Sequence, residues 1–219
     1  HAGIMAAAIP EEFGGIGLPM SALARLVETV NGCGCTGDVL VEQLALSALL
    51  TKHGTAATKQ AMLSRLAAGK ARLQSFAIWE PGSGRDVSRL GTTAKPAPGG
   101  YVIDGRKRWV RFAFGRHLMV VAARTAPAPG GLSLFLVDLA EAGDKVIIEP
   151  IDAMNNHGAA EVTINGLAVP SGHLIGRLNE GLAALADLDT IRGILAAAAA
   201  RGCSRFFSAK GVRYANERV

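Results

Sequence analysis

The 219-residue sequence predicts an α+β protein with a helical amino-terminal domain, a middle domain of antiparallel β-strands in a sandwich or barrel, and a helical carboxy-terminal segment. Three changes of pattern support this order. Apolar residues recur at helical spacing up to Gly69, short apolar runs between turn residues follow from Leu73, and Ala, Leu and Arg dominate after Leu182. We therefore expect domains at residues 1–72, 73–176 and 177–219.

The amino-terminal domain carries three apolar stripes with the spacing of amphipathic helices. The stripes lie within 23–30, 44–50 and 62–66, and each has apolar residues three or four positions apart. Glycine often follows the last turn of a helix, so helices are expected to end near Gly32, Gly37, Gly54 and Gly69.

The middle domain contains short apolar runs that predict strands. The runs are Tyr101–Ile103, Leu118–Ala122, Leu132–Val137, Val146–Ile148 and Glu161–Ile164. Asp104-Gly105 and Asn165-Gly166 have the composition of two-residue hairpin turns. Short strands without helices between them favour antiparallel pairing in a sandwich or small barrel.

The carboxy-terminal segment, Leu182–Val219, predicts one long helix that contains three glycines, Gly193, Gly202 and Gly211. These glycines either allow close helix contacts or are simply tolerated, at about 1 kcal/mol each. The helix cannot bury its apolar positions alone, so a homo- or hetero-oligomer is expected. Those positions are Ile191, Ile194, Leu195 and Phe206.

Composition limits the functional classes. Hydrophobic residues make up 49% and charged residues 19%, which permits a sizeable core and argues against disorder. The apolar run Ile194–Ala200 is too short to cross a bilayer, so no membrane partner is expected. The net charge is +5, but the cations are spread along the chain without interleaved aromatics. Nucleic acid is therefore not an expected partner, whereas an anionic ligand such as a nucleotide or coenzyme A fits the charge.

The cysteines indicate a reducing compartment and no metal. Their number is odd and their spacing forms no disulfide framework, which favours reduced thiols and a cytoplasmic location. Cys33-Gly34-Cys35 has the wrong spacing for a zinc knuckle, and no His/Cys pair follows it.

Six segments, in order over nearly the whole chain, resemble motifs of the acyl-CoA dehydrogenase family. They are Ile9–Gly17, Trp79–Val87, Tyr101–Val110, Val169–Gly176, Leu188–Arg192 and Tyr214–Arg218. The second resembles the family's T-E-P-x-A-G-S-D-V, and the third resembles Y-x-L-N-G-x-K-x-W-I-T-N. The resemblance implies that the last segment starts a carboxy-terminal helical bundle. It also implies an oxidoreductase of lipid metabolism that desaturates the α,β bond of an acyl thioester, with FAD as hydride acceptor.

The same resemblance implies the site residues. The flavin would contact Phe76, Ile78, Trp79, Gly84, Arg85, Trp109, Val110 and Arg111, and Arg218 would reach the flavin pyrophosphate of a neighbouring subunit. The acyl-CoA or acyl-carrier thioester would lie near Arg85, Asp189 and Arg192. The family's catalytic base is expected beyond Val219, so we expect no catalytic base among these residues and no activity of this chain alone.

Three departures from the family motifs replace a hydroxyl-bearing residue at the expected flavin site. Trp79 and Arg111 replace threonines, and Arg85 replaces a serine. An indole beside the flavin ring crowds it, so FAD binding is expected to be weak or absent, unless the arginines compensate by pairing with the pyrophosphate. The alternative function is a non-catalytic partner subunit, with a degenerate flavin site, in a hetero-oligomer.

Overall fold

The computed structural model describes residues 3–84, 86–115, 117–127, 130–154 and 158–218. Its amino-terminal part is helical, as expected. Helix α1 is Met20–Gly32 and helix α2 is Asp38–His53. A third helical stretch consists of α3 (Ala56–Thr58), a π-helical turn (Lys59–Leu63) and α4 (Ser64–Ala67).

Most of the expected helix boundaries agree with the structure, but one is wrong. Helix α2 ends at Gly54, whose N–H donates to the Leu50 carbonyl at 2.8 Å. Gly37, expected to end a helix, instead stands at the amino-terminal cap of α2. Glycine is tolerated at both ends of a helix, so its position alone does not tell a start from a stop.

The described residues contain eight strands: β1 (Leu73–Ala77), β2 (Thr93–Ala97), β3 (Gly100–Arg111), β4 (Leu118–Arg124), β5 (Leu132–Asp138), β6 (Val146–Pro150), β7 (Ala159–Pro170) and β8 (Leu174–Ile175). They form one sheet in the order β6-β7-β3-β2-β4-β5-β8, and β1 pairs with β4. The α+β class is confirmed, but the pairing is not purely antiparallel. Strand β1 runs parallel to β4, and β2 meets β4 in a single parallel pair.

The prediction of two hairpin turns is wrong. Asp104-Gly105 lies inside β3, Asn165-Gly166 lies inside β7, and the two strands pair there with a shift of register. The Gly166 N–H donates to the Asp104 carboxylate at 2.6 Å. A bulge uses the conformational freedom of glycine just as a turn does, so the same dipeptides serve both.

Strand β4 separates two hydrophobic cores. Leu118, Val120 and Ala122 pack on the helical side, with α1, α2 and the start of the last helix. Their alternate neighbours, Met119, Val121 and Ala123, pack within the β domain. Both faces of β4 are thus buried, which explains its uninterrupted apolar sequence.

The last helix, α5, is Gly181–Glu217, and it confirms the long helix expected from the sequence. Its 37 residues extend about 55 Å at 1.5 Å per residue. Leu185, Leu188 and Leu195 are buried against the rest of the chain, whereas Phe207 and Tyr214 are exposed. Within the described ranges, no helix has the length and apolarity that crossing a membrane requires.

Candidate functional site

A buried ion pair joins the segment after β1 to β3. The Lys107 side chain is fully buried, and its Nζ donates to the Ile78 carbonyl at 3.1 Å and to Glu80 Oε1 at 2.7 Å. The Glu80 carboxylate also accepts the N–H groups of Gly91 at 2.6 Å and Thr92 at 3.0 Å. This ion pair and its hydrogen bonds therefore connect three backbone segments, namely the one after β1, the one before β2 and strand β3.

The pKa shifts of the pair follow from burial and from mutual attraction. Burial lowers the pKa of Lys107 to about 8, although the Glu80 charge opposes this shift. For Glu80, burial favours the neutral acid, but the Lys107 charge and the hydrogen bonds from Lys107, Thr92 and Gly91 outweigh it, so the pKa is lowered. The Glu80 carboxylate thus already accepts hydrogen bonds from its neighbours, which suits a structural role.

We expect Glu80→Gln to change how stability depends on acid pH. Because folding lowers the pKa of Glu80, its charge stabilises the folded state above the unfolded pKa of 4.5, and this contribution is lost as the pH falls through the lower folded value. The difference in unfolding free energy between wild type and Glu80→Gln should therefore shrink as the pH falls below 4.5 and through the lower folded pKa. Urea unfolding at each pH measures it, with the exposed Glu141→Gln as the control. A difference that stays constant or grows on acidification contradicts the expectation.

A bulge in β3 presents Trp109 at the surface. The register against β7 shifts between Lys107 and Val110, and Trp109 adopts a φ of 61°. Bulky residues rarely adopt positive φ, and such backbone concentrates at functional sites. As a result, 51% of Trp109 is exposed, whereas the next residue, Val110, is buried. The Arg108 guanidinium carbon lies 5.4 Å from the centre of the Trp109 ring, within range of a cation–π contact.

Two cavities meet at the two tryptophans. The first, which we call the tryptophan cavity, has a volume of about 640 Å³ and lies within the range of small-molecule sites. It is lined by Trp79, Glu80, Pro81, Gly82, Gly84, Arg108 and Trp109. The second, the arginine cavity, has a volume of about 90 Å³. It is lined by Glu42, Gln74, Phe76, Ile78, Trp79, Trp109, Arg111 and Arg192.

The two arginines of the arginine cavity are paired with carboxylates of helix α2. Arg111 donates from one terminal nitrogen to Asp38 Oδ2 at 2.9 Å. Arg192, from helix α5, donates in the same way to Glu42 Oε2. The Arg192 guanidinium also stacks on Phe76, with 4.8 Å between its central carbon and the ring centre. These contacts join α2, β3 and α5 around one small space.

Seven of the residues expected at the site line the two cavities, and three lie elsewhere. Phe76, Ile78, Trp79, Trp109, Arg111 and Arg192 line the arginine cavity, while Gly84 lines the tryptophan cavity. Val110 is buried in the β domain, and Asp189 and Arg218 are exposed on or just after helix α5. Arg85 lies outside the described residues.

Sequence reasoning missed the polar partners on helix α2. The sequence offered one signal, which is that two polar residues, Glu42 and Gln43, stand within an otherwise apolar stretch of that helix. The structure buries both. Asp38 gave no signal, because an acidic residue in the first turn of a helix is common. In the described part of the chain, no group of three or more His, Cys, Asp or Glu side chains is arranged to hold a metal ion.

Comparison with known proteins identifies the fold. Residues 1–70 match the family model of the acyl-CoA dehydrogenase amino-terminal domain, and residues 75–167 match that of the middle domain. The very long-chain specific acyl-CoA dehydrogenase of Macaca fascicularis is 32% identical over 96% of this chain and 34% of its own length. The L-prolyl-[peptidyl-carrier protein] dehydrogenase of Pseudomonas fluorescens is 35% identical over 83% of this chain and 50% of its own length.

A solved structure agrees with these matches. The prolyl acyl carrier protein oxidase AnaB superposes with a TM-score of 0.86 and 26% identity, covering 97% of this chain and 58% of that chain. The chain thus spans about a third to a half of the length of the curated relatives described above.

Proposed function

Because this chain belongs to the acyl-CoA dehydrogenase family, we propose that it supplies the flavin-facing wall of an enzyme that desaturates the α,β bond of an acyl thioester. The tryptophan cavity carries the proposal. It lies between the Trp79–Gly84 turn and Trp109, in the two segments whose family counterparts meet the flavin. The relatives' names include both acyl-CoA and carrier-protein substrates, so the proposed substrate is a thioester of either carrier.

The residues of the tryptophan cavity partly fit a flavin. The half-exposed indole of Trp109 offers a face on which a planar ring stacks, and the cavity beside it is open. The hydroxyl donors of the family motifs are absent at Trp79 and Arg111, and Arg111 is paired with Asp38. Bound FAD would accept the hydride; the chain's own part is to orient the ring through Trp109 and to hold the wall through Lys107 and Glu80.

The second candidate is a non-catalytic partner subunit in a hetero-oligomer. Arg111 favours it, because the guanidinium that replaces a family threonine already has a carboxylate partner and is not turned toward the tryptophan cavity. In this reading FAD binds weakly, and a competent subunit performs the chemistry. The three cysteines are free, in keeping with the cytoplasmic location that we propose for either candidate.

We expect weak FAD binding by the wild-type chain and tighter binding by Trp79→Thr. Removing the indole relieves an overlap that costs about 1–3 kcal/mol, so affinity should rise about 5- to 150-fold. The chain has two tryptophans and both line the cavity, so quenching of tryptophan emission during FAD titration measures binding, with Trp109 as the reporter in the variant.

Phe207 is exposed, so Phe207→Thr is the matched control and should leave FAD affinity unchanged. Tight binding by wild type that Trp79→Thr weakens would contradict the crowding argument while supporting the flavin wall. If neither wild type nor Trp79→Thr binds FAD, the partner-subunit candidate replaces the enzyme.

A further inference from the structure

We propose that His117 is a positioning residue for the wall of the tryptophan cavity. Through the Ser75 hydroxyl it holds the Phe112 carbonyl, just after β3, and so fixes the end of the strand that carries Trp109 and Arg111. Under the proposed function, on which this inference rests, that wall faces the flavin. His117 and Ser75 are not among the described residues that line the two cavities, so both act through the residues that do.

Strands β1 and β3 lie side by side, but in the part of the chain that the structure describes they do not pair as a ladder. Just beyond the end of β1, the Trp79 carbonyl accepts the N–H of Arg108 at 2.8 Å. Further along both segments, Ser75 stands opposite Phe112, and Ser75 Oγ donates to the Phe112 carbonyl at 2.6 Å. A side-chain hydrogen bond thus replaces a ladder bond at the end of β3.

The His117 ring orients the Ser75 hydroxyl. His117 Nε2 lies 3.0 Å from Ser75 Oγ, and both side chains are buried. A carbonyl oxygen only accepts, so the single proton of the hydroxyl is donated to Phe112, and Ser75 Oγ accepts from His117 Nε2. The hydrogen-bond partners therefore assign the proton of the neutral ring to Nε2. The ring, the hydroxyl and the carbonyl form one chain of donors directed at Phe112.

The backbone from Trp109 to Phe112 depends on support from its surroundings. The φ angles are 61° at Trp109 and 55° at Phe112, in a region that bulky residues rarely adopt. Such backbone persists only where neighbouring structure holds it in place. Strand β7 pairs with Val110 and Arg111 on one side, and Ser75 bonds to Phe112 on the other. Loss of the Ser75 bond therefore removes the support on one side.

The charge of His117 affects this arrangement. Burial lowers the pKa of His117; the hydrogen bond with the Phe112 carbonyl opposes this shift, and the positive charge of Arg72 adds to it. A proton taken up by the neutral ring goes to Nδ1, which lies toward Gly115 and not toward Ser75. Protonation therefore adds a second positive charge near Arg72 in a buried site, without a new bond to Ser75.

The sign of the pH dependence follows from the lowered pKa. Among the described residues, the charged groups next to the ring on β3 and β5 are already paired, Arg111 with Asp38 and Asp138 with Arg65. The neutral His117 ring stabilises the folded state fully above the unfolded pKa of 6.5, and this contribution declines as the pH falls toward the lower folded value. We expect the end of β3 to loosen in that range.

Hydrogen exchange over residues 109–115, read by mass spectrometry near neutral pH, tests the positioning role without any ligand. His117→Leu removes the donor and Ser75→Ala removes the hydroxyl, so each should speed exchange there about five- to tenfold. The double variant should exchange no faster than either single one, since both changes break the same chain. His117→Gln keeps an N–H donor and should exchange like wild type. His173→Leu, which removes a histidine bonded to the Leu136 carbonyl, is the matched control.

Two further readouts separate positioning from packing. Below pH 6.5, exchange over residues 109–115 should accelerate in wild type relative to its intrinsic rate, and His117→Gln should abolish this acceleration. In the Trp79→Thr background, where FAD binding is expected to be tighter, His117→Leu should weaken FAD binding about tenfold, whereas His117→Gln should preserve it.

The outcomes distinguish this inference from the proposed function. Exchange that is unchanged in both His117→Leu and Ser75→Ala would overturn the inference and leave the flavin wall standing. Faster exchange with undiminished FAD affinity would reduce the chain to a structural contact and overturn the positioning role. If exchange responds as expected but no variant binds FAD, the flavin part of the proposed function fails and His117 still holds the end of β3.

Discussion

Replacing Lys107 with methionine is expected to destabilise the protein by about 3–5 kcal/mol, as removal of one partner of a buried ion pair usually does. The Lys107 side chain has 0% exposure, and its Nζ contacts both the Ile78 carbonyl and Glu80. Methionine fills similar space without a donor, so the Glu80 carboxylate, 9% exposed, would lose its cation. The turn at Gly91 and Thr92, which Glu80 holds, would loosen as well.

The measurement is urea unfolding near neutral pH, followed by far-UV circular dichroism. Lys95→Met is the matched control, because Lys95 is exposed on the neighbouring strand β2 and its loss should cost within about 0.5 kcal/mol. If Lys107→Met and Lys95→Met are equally stable, the desolvation cost of the buried Lys107 ammonium equals the stabilisation that it gains from pairing with Glu80. In that case Lys107 would not be what holds the wall of the tryptophan cavity.

Gly202→Ala should destabilise the protein, although alanine normally stabilises a helix. A β-carbon at Gly202 would stand 2.3 Å from the Glu28 carbonyl oxygen and 2.9 Å from the Gly32 nitrogen, both backbone atoms of helix α1. The helices would have to separate, which costs about 1–3 kcal/mol and exceeds the propensity gain of at most about 1 kcal/mol. Of the two readings left open by the sequence, close contact is therefore the one that applies to Gly202.

Gly193→Ala is the matched control in the same helix. Among the described residues, no atom beyond the neighbouring backbone of its own helix lies within 4 Å of the position that a β-carbon would take there, so this change should stabilise the protein by about 0.5–1 kcal/mol. Thermal or urea unfolding of the two variants should give shifts of opposite sign. A stabilised Gly202→Ala would mean that α1 and α5 are free to move apart.

Much of the fold was predictable because it depends on local patterns. Apolar spacing located the helices near 23–30 and 44–50, and alternation of apolar runs with turn residues located strands β3 to β7 but not β1, β2 or β8. The hairpin signals failed at Asp104-Gly105 and Asn165-Gly166, because glycine-containing dipeptides allow a bulge as readily as a turn. Only the pairing of β3 with β7 distinguishes the two.

The sequence by itself determined the α+β class, the long last helix and the motifs that place Trp79 and Trp109 in one site. Only the tertiary structure decided which charges meet there. Arg111 pairs with Asp38 across 73 positions of sequence, and Arg192 pairs with Glu42 across 150. The burial of Lys107 and the positive φ of Trp109 were equally invisible, since both arise where β3 packs against other segments. Periodicity reports neighbours along one helix or strand, whereas a site depends on contacts between segments that are distant in the chain.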